Sequence, residues 1–435
     1  MNQWTESLWG DEGFSAIAVQ QPFLETVGIV MRDTAPPLFY IVGWIWGRMF
    51  GFSEASLRSL TLLLMLGAAG FAGMIVWKVG KNRMGGVVTF LLSFLAPFLV
   101  PFAFEWRMYA LLNFMVMGSI YFFVMRKWWG YVIFSLGALY THHFGLFTIA
   151  GQGIWFLVHD FEWKKPRTYI KQLWPFLVVG LGYVPWLYPM YLQITRVKGA
   201  GFWLSVPSIE EVFLLLVKFV IGGVSKDWWV AAGMLVGVVV LAKDWKKVGT
   251  KWLELATVVL APVVFAYLVS YLVTPIFYDR YLLSVVVGIM VLIVLGTKRL
   301  AMGVVLFLIL IFGAQSWQQF THPSKRPFRE LAAYVNETKR EDDFLLNYNG
   351  NSHHLWESKY YGIPAPIYTP NGPLPLYVGT AQMKDGDTVD VIPRFSGRLG
   401  VIASEPIDKI ELPGFVLSDY EEFGSLRFSW WLRDE

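Results

Sequence analysis

Cysteine is absent from the 435 residues, which excludes disulfides, thiolate metal sites and a cysteine nucleophile. Charge is scarce as well: Asp, Glu, Lys and Arg make up 16% of the chain, with a net charge of only +4. The Lys and Arg fall in short clusters between apolar segments, a topogenic pattern rather than a nucleic-acid surface, so no nucleic-acid partner is implied. Walker and Rossmann glycine patterns, internal repeats and low-complexity tracts are missing too.

Apolar residues dominate what is present. Hydrophobic residues reach 55% and aromatics 17%, and several stretches approach the ~20 residues that cross a bilayer, so the chain reads as a polytopic membrane protein. Spans are expected near Leu57 to Trp77, Gly85 to Phe104, Met108 to Met125, Trp129 to Tyr140 and Phe144 to Val158. Further spans are expected near Leu173 to Leu192, Trp228 to Leu241, Trp252 to Val273, Leu282 to Gly296 and Leu300 to Ser316, about ten in all. With that alternation the clusters Lys78-Lys81-Arg83, Arg126-Lys127, Lys164-Lys165-Arg167-Lys171, Lys243-Lys246-Lys247-Lys251 and Lys298-Arg299 share one side, the cytoplasmic one by the positive-inside rule.

This topology constrains the ambiguous segments. Pro36 to Phe50 is short, contains Arg48 and would invert everything after it if it crossed, so it reads as a juxtamembrane or re-entrant helix on the outer side. The stretch Trp129 to Val158 must break near Thr141-His142-His143, which puts the His pair at the outer face. Glu211 to Gly223 is too short to cross, and Gln193 to Ser208 reads as a loop.

After Trp317 the composition turns polar, which predicts a soluble extracytoplasmic α/β domain. Phe328 to Thr338 has helical spacing, Asp343 to Asn347 and Gly400 to Ile402 read as strands, and Pro364 to Pro373 as loop. The expected organisation is residues 1–56 as an extracytoplasmic catalytic loop with a juxtamembrane helix, 57–316 as the membrane domain and 317–435 as the soluble domain.

On this topology the outer face collects Asp11, Glu12, Arg32, Asp33, Glu105, Arg107, Tyr109, His142, His143, Asp279, Arg280 and Tyr281. Carboxylates at an interface can deprotonate a hydroxyl or ligate a cation, arginines can clamp a phosphate, and aromatic rings can stack on a sugar. Each residue also has a plainer reading. Asp11 and Glu12 suit a helix N-terminus, Asp33 a helix cap, Glu105 and Arg107 an ion pair, the His pair interfacial packing and Arg280 an anchor. His353-His354 in the tail reads as part of a polar loop rather than a metal site.

The motifs together resemble the GT-C glycosyltransferases of the protein O-mannosyltransferase and aminoarabinose transferase kind. Four features carry the resemblance: Trp9-Gly-Asp11-Glu12-Gly-Phe-Ser15 followed by Asp33-Thr-Ala-Pro36-Pro37-Leu38-Phe-Tyr40; Glu105-Trp-Arg107-Met-Tyr109; Tyr140-Thr-His-His143-Phe; and Tyr278-Asp-Arg280-Tyr281-Leu-Leu. The resemblance covers roughly Leu8 to Gly296, with two departures. The chain begins directly at the Asp-Glu segment, without the first transmembrane helix usual in the family, which suggests a truncated start, and Ala35 stands where His is common.

The resemblance implies an all-α polytopic domain of GT-C type with an outer α/β tail, acting as an inverting transferase of a mannose-like sugar from a polyprenyl-phosphate donor. The acceptor is a protein, lipid or glycan, and the setting is the plasma membrane. It implies Asp11 as general base, Glu12 orienting the acceptor or the base, and Asp33 as a third catalytic carboxylate. Arg107 and Arg280 hold the phosphate, with Glu105, Tyr109, His142, His143 and Tyr281 completing the donor site. No cofactor is required, since a clamped phosphate is already a competent leaving group, although a divalent cation is compatible. The rival readings are a transporter or flippase of lipid-linked sugars, which commonly shows repeats and midplane charges, and a non-catalytic scaffold.

Overall fold

The computed structural model describes residues 2–434 except 201–203, 223–227, 243–248, 298–300, 351 and 375–378. Lys243, Lys246, Lys247, Lys298 and Arg299 of the basic clusters therefore lie outside the described residues.

Helices α1 (Gly10–Gln20), α2 (Phe23–Arg32) and α3 (Leu38–Phe50) open the chain. A long helical stretch follows: α4 (Glu54–Gly80), α5 (Arg83–Phe94), α6 (Val100–Ala103), α7 (Tyr109–Val124), α8 (Trp128–Thr141), α9 (Gly145–Trp155) and α10 (Tyr169–Ala200). It continues through α11 (Ile209–Ile221), α12 (Trp228–Ala242), α13 (Thr250–Leu272), α14 (Leu283–Leu295) and α15 (Met302–Thr321). The tail holds α16 (Phe328–Thr338), β1 (Phe344–Tyr348), α17 (Leu355–Tyr360), β2 (Ile367–Tyr368), β3 (Thr388–Val389), β4 (Leu399–Ala403), β5 (Phe415–Phe423) and β6 (Leu426–Arg433). The chain divides into two compact units, one of Met1–Asp33, Tyr40–Leu57 and Pro323–Glu435, the other of Thr34–Phe39 and Arg58–His322.

The second unit is helical and apolar. Four helices among the described residues are long and apolar enough to cross a membrane, or five if the bent pair of segments Arg83–Phe94 and Pro97–Ala103 is one span. The span expected from Gly85 to Phe104 is thus broken by a 49° bend, where Pro97 and Pro101 withhold the N–H groups that would continue the ladder. Helix α14 is apolar all round, and every residue except Ile289 is buried, as expected of a central element. Polar side chains then knit its neighbours. Gln152 Nε2 donates to Ser119 Oγ at 3.0 Å, and Ser119 and Ser135 share a bond of 2.9 Å, tying α7, α8 and α9 together.

Pro364 to Pro373 is not all loop, because Ile367–Tyr368 forms β2, and two further expectations are corrected. Gln193 to Ser208 is not all loop, because α10 runs on to Ala200 despite Pro175, Pro185 and Pro189 within it. Pro189 is the last breaker before Gly199, and Gln193 is almost fully buried with side-chain partners that hold the turn in place. The acidic segment Trp9–Ser15 is not a loop either but opens α1, where Glu12 Oε2 accepts the Trp9 N–H at 3.3 Å and both acids sit in the first turn.

The first unit combines that N-terminal segment with a six-stranded sheet of order β3-β2-β1-β4-β6-β5. Strands β1 to β4 pair in parallel and β6 and β5 close the edge antiparallel. One face packs Phe328, Leu331 and Val335 of α16 against Leu345, Ile402, Phe428 and Trp430; the other packs Leu346, Leu399 and Val401 against Ile410, Leu412 and Trp431. The alternation along β1 and β6 is what sends neighbouring residues to opposite faces. The Tyr361 hydroxyl accepts the Leu8 N–H at 2.9 Å and donates to Glu54 Oε1 at 2.8 Å, and Arg329 Nη2 pairs with the same oxygen at 2.6 Å. Burial first, and then the Glu54 carboxylate, push that hydroxyl well up from its ordinary value.

Candidate active site

The helical unit gathers several of the expected residues. Glu105, Trp106 and Arg107 form a tight turn before α7, with the Arg107 N–H donating to Glu105 O at 2.8 Å. Trp106 anchors it, fully buried and 4.8 Å from the Phe39 ring centroid. Glu105 and Arg107 are themselves buried, and Tyr109 begins α7 directly after them.

Helix α8 stops at Thr141 because His142 turns extended, at φ −159° and ψ 143°. The Phe144 N–H then donates to His142 Nδ1 at 3.2 Å, which leaves the ring hydrogen on Nε2. Burial first, then the positive charges of His143, Arg107 and Arg280, hold His142 well below its ordinary value, so it is neutral at pH 7. His143 faces Gln193 Oε1 at 3.2 Å, and Gln193 Nε2 donates to the Ala35 carbonyl at 3.3 Å.

A short 3-10 turn, Asp279–Leu282, presents Arg280 and Tyr281. Asp279 fixes it by accepting the Arg280 N–H at 2.7 Å and pairing with Lys218 at 2.5 Å. The Arg280 guanidinium lies 4.9 Å from the Tyr278 ring centre, 5.5 Å from Tyr109 and 5.9 Å from Tyr281. Tyr281 in turn lies 4.9 Å from His142 and 6.0 Å from Tyr109. Tyr109, His142, Arg280 and Tyr281 thus form one aromatic and cationic cluster, built from three separated segments, with Arg107 close enough to act on His142 electrostatically. Such a cluster offers donors and positive charge to an anion and ring faces to a sugar.

The three carboxylates belong to the other unit. Asp11 is half-exposed in the first turn of α1. Glu12 is fully buried, 3.0 Å from Lys325 Nζ, a lysine that Glu6 shares at 3.3 Å. Asp33 is half-exposed and closes α2, its N–H donating to Ile29 O and Val30 O.

Sequence reasoning missed Gln193 and Lys218. Gln193 was hidden in a segment without an apolar pattern, and Lys218 sits on an ordinary amphipathic helix. Among the described residues no group of three or more His, Asp or Glu is placed to hold a metal ion.

ArnT from Cupriavidus metallidurans in the apo state superposes with a TM-score of 0.70, over 99% of this chain and 95% of that one, at 14% identity. The chain has the ArnT fold. The structure of that ArnT bound to undecaprenyl phosphate superposes at a TM-score of 0.66 and 13% identity, covering 98% of this chain and 94% of ArnT. The fold expected from the motif resemblance is thus the fold found. No protein-family model matches the chain, and no curated protein is significantly similar to it in sequence.

Proposed function

We propose that this chain is an inverting membrane glycosyltransferase that moves a sugar, mannose-like by the motif resemblance, from a polyprenyl phosphate to an acceptor on the extracytoplasmic side of the plasma membrane. The observation that carries the reading is the cluster of Arg280, Tyr109, Tyr281 and His142 in an ArnT-type fold. The undecaprenyl phosphate held by an ArnT structure supports a polyprenyl-phosphate donor.

In this mechanism Asp11 takes the acceptor hydroxyl proton while the acceptor oxygen attacks the anomeric carbon from the face opposite the phosphate. The anomeric C–O bond breaks, its electron pair stays with the lipid phosphate, and Arg107 and Arg280 stabilise the dianion that leaves. A neutral His142 adds hydrogen-bonding capacity without a further charge. Glu12, engaged by Lys325, serves the fold of α1 rather than the acceptor, and Asp33 is the alternative base. An apolar groove of about 370 Å³ lined by Ile154, Leu260, Val264 and Phe265 offers room for a short part of an isoprenoid tail.

The test is sugar transfer in membranes from labelled polyprenyl-phosphate sugars. Asp11→Asn should lower turnover by about 100-fold or more with normal insertion, and Arg280→Lys, which keeps charge but loses the fork, should lower it about tenfold. Full activity of Asp11→Asn would move the base to Asp33. Full activity of both variants would reject the mechanism.

A further inference from the structure

The sheet unit holds a second cluster of reactive side chains that the proposed transfer does not use. His354, 1% exposed, lies at the entry to α17, not in an open polar loop. Its Nδ1 is 3.1 Å from Glu357 Oε1, and its Nε2 is 2.7 Å from Ser404 Oγ. The His–Glu pair is local, one helical turn apart, whereas Ser404 arrives from the residue after β4. Arg326 Nη1 lies 3.2 Å from the same Nε2 and 2.9 Å from Ser352 Oγ.

An arginine can only donate, so Nε2 is the acceptor and the ring hydrogen sits on Nδ1, facing Glu357. That is the tautomer a general base needs, with the lone pair toward a serine hydroxyl and a carboxylate behind the ring. Glu357 is buried, and its Oε2 has no hydrogen-bond partner among the described residues. An unsatisfied buried carboxylate oxygen costs stability.

The placement in the sheet is independent support. From β1 the chain turns to one side for β2 and β3, then returns to the other side for β4. The junction of the parallel strands β1 and β4 is therefore a topological switch point, and open α/β sheets bind ligands outside the carboxyl ends of the strands at such a point. Ser404 follows the carboxyl end of β4, and His354 and Glu357 lie in the connection that follows β1. Ser404 itself is half-exposed.

We propose that Ser404, His354 and Glu357 form a nucleophile, base and orienting carboxylate that take an acyl group from a carboxylic ester. Ser404 Oγ bonds to the ester carbonyl carbon while His354 Nε2 takes the hydroxyl proton, and the carbonyl π pair moves onto its oxygen. That pair returns as the bond to the alcohol oxygen breaks, and His354 hands its proton to the departing alkoxide. Water then attacks the acyl-serine with His354 again as base, releasing the carboxylic acid and restoring Ser404. Glu357 stabilises the imidazolium that forms in each half.

The experiment is covalent labelling of the purified full-length protein in detergent with a fluorophosphonate probe, followed by peptide mapping. It needs no polyprenyl donor, so its outcome is independent of the transferase reading. The expected result is one adduct on Ser404, lost in Ser404→Ala, and slowed about 100-fold or more in His354→Gln, with Glu357→Gln in between. A melting curve for each variant confirms the fold. Absence of an adduct on Ser404 in the folded wild-type protein, or labelling that His354→Gln leaves at full rate, would overturn the proposal and leave the cluster as a structural network.

Discussion

Asp343 shows how one residue braces the sheet. Its Oδ1 accepts the Arg398 N–H at 2.8 Å, and its Oδ2 accepts the Arg340 N–H at 2.9 Å and pairs with Arg398 Nη2 at 2.7 Å. Arg398 also lies 3.8 Å over the Trp430 ring and donates to Thr338 O. The carboxylate side chain has no exposed surface. Burial pulls its pKa upward, but the bonds from Arg398 and the two backbone N–H groups outweigh it and hold the carboxyl below its ordinary value. A depressed folded-state pKa means stability that is fully present above the unfolded value of about 4 and lost as pH falls through the folded-state value. Asp343→Asn should therefore lower the melting temperature at pH 7 and flatten its decline below pH 4. Arg398→Leu should be more damaging at pH 7, by about 3–5 kcal/mol, because it strands the buried charge. Melting temperature against pH for the three proteins checks this, and parallel acid limbs in wild type and Asp343→Asn would refute it.

Between elements, α4 and α5 approach backbone to backbone. A Cβ at Gly73 would lie 2.7 Å from the Gly86 carbonyl oxygen, and one at Gly86 would lie 2.8 Å from the Gly73 oxygen. Both obstacles are backbone, so neither can rotate away. Small residues at such a crossing let helix backbones touch where lipid supplies no hydrophobic drive between them. Gly73→Ala and Gly86→Ala should each cost about 1–3 kcal/mol, whereas Gly70→Ala, with open space around its Cβ position, should be neutral or stabilising. Thermal unfolding in detergent ranks them, and equal behaviour of all three would contradict the backbone-contact argument. These crossings were invisible in the sequence, where the run from Leu57 to Trp77 announced a helix but not which glycine met which partner. The apolar runs at α7 and α14 were legible for the same reason that they are buried, their lack of any polar face. The bend at Pro97 and the continuation of α10 past Gln193 were not, since each depends on tertiary partners rather than on local pattern.

At the scale of the molecule, the motif residues that cluster in the helical unit were legible because each sits beside a helix end, where a change from apolar to polar residues marks the chain: Arg107 before α7, His142 after α8 and Arg280 before α14. The partnership of the first residues with the last hundred was not legible, because nothing in Leu8, Phe14 or Glu12 names Tyr361, Trp356 or Lys325 as a partner. Phe14 is the apolar centre of that partnership. Its ring is 4% exposed and meets Trp356 edge-on at 5.4 Å, and its carbonyl accepts a bond from Gln382 Nε2 at 2.8 Å. The strands behind it keep their own cores on both faces of the sheet, which do not include α1. Stability should therefore be divided within this unit, with α1, α17 and the Thr380–Gln382 turn opening before the strands do. Phe14→Ala should cost about 3–5 kcal/mol locally and speed amide exchange in α1, α17 and residues 380–382, while β1, β4 and β6 stay protected. Uniform loss of protection across the sheet would show instead that the N-terminal helix and the strands form one cooperative core.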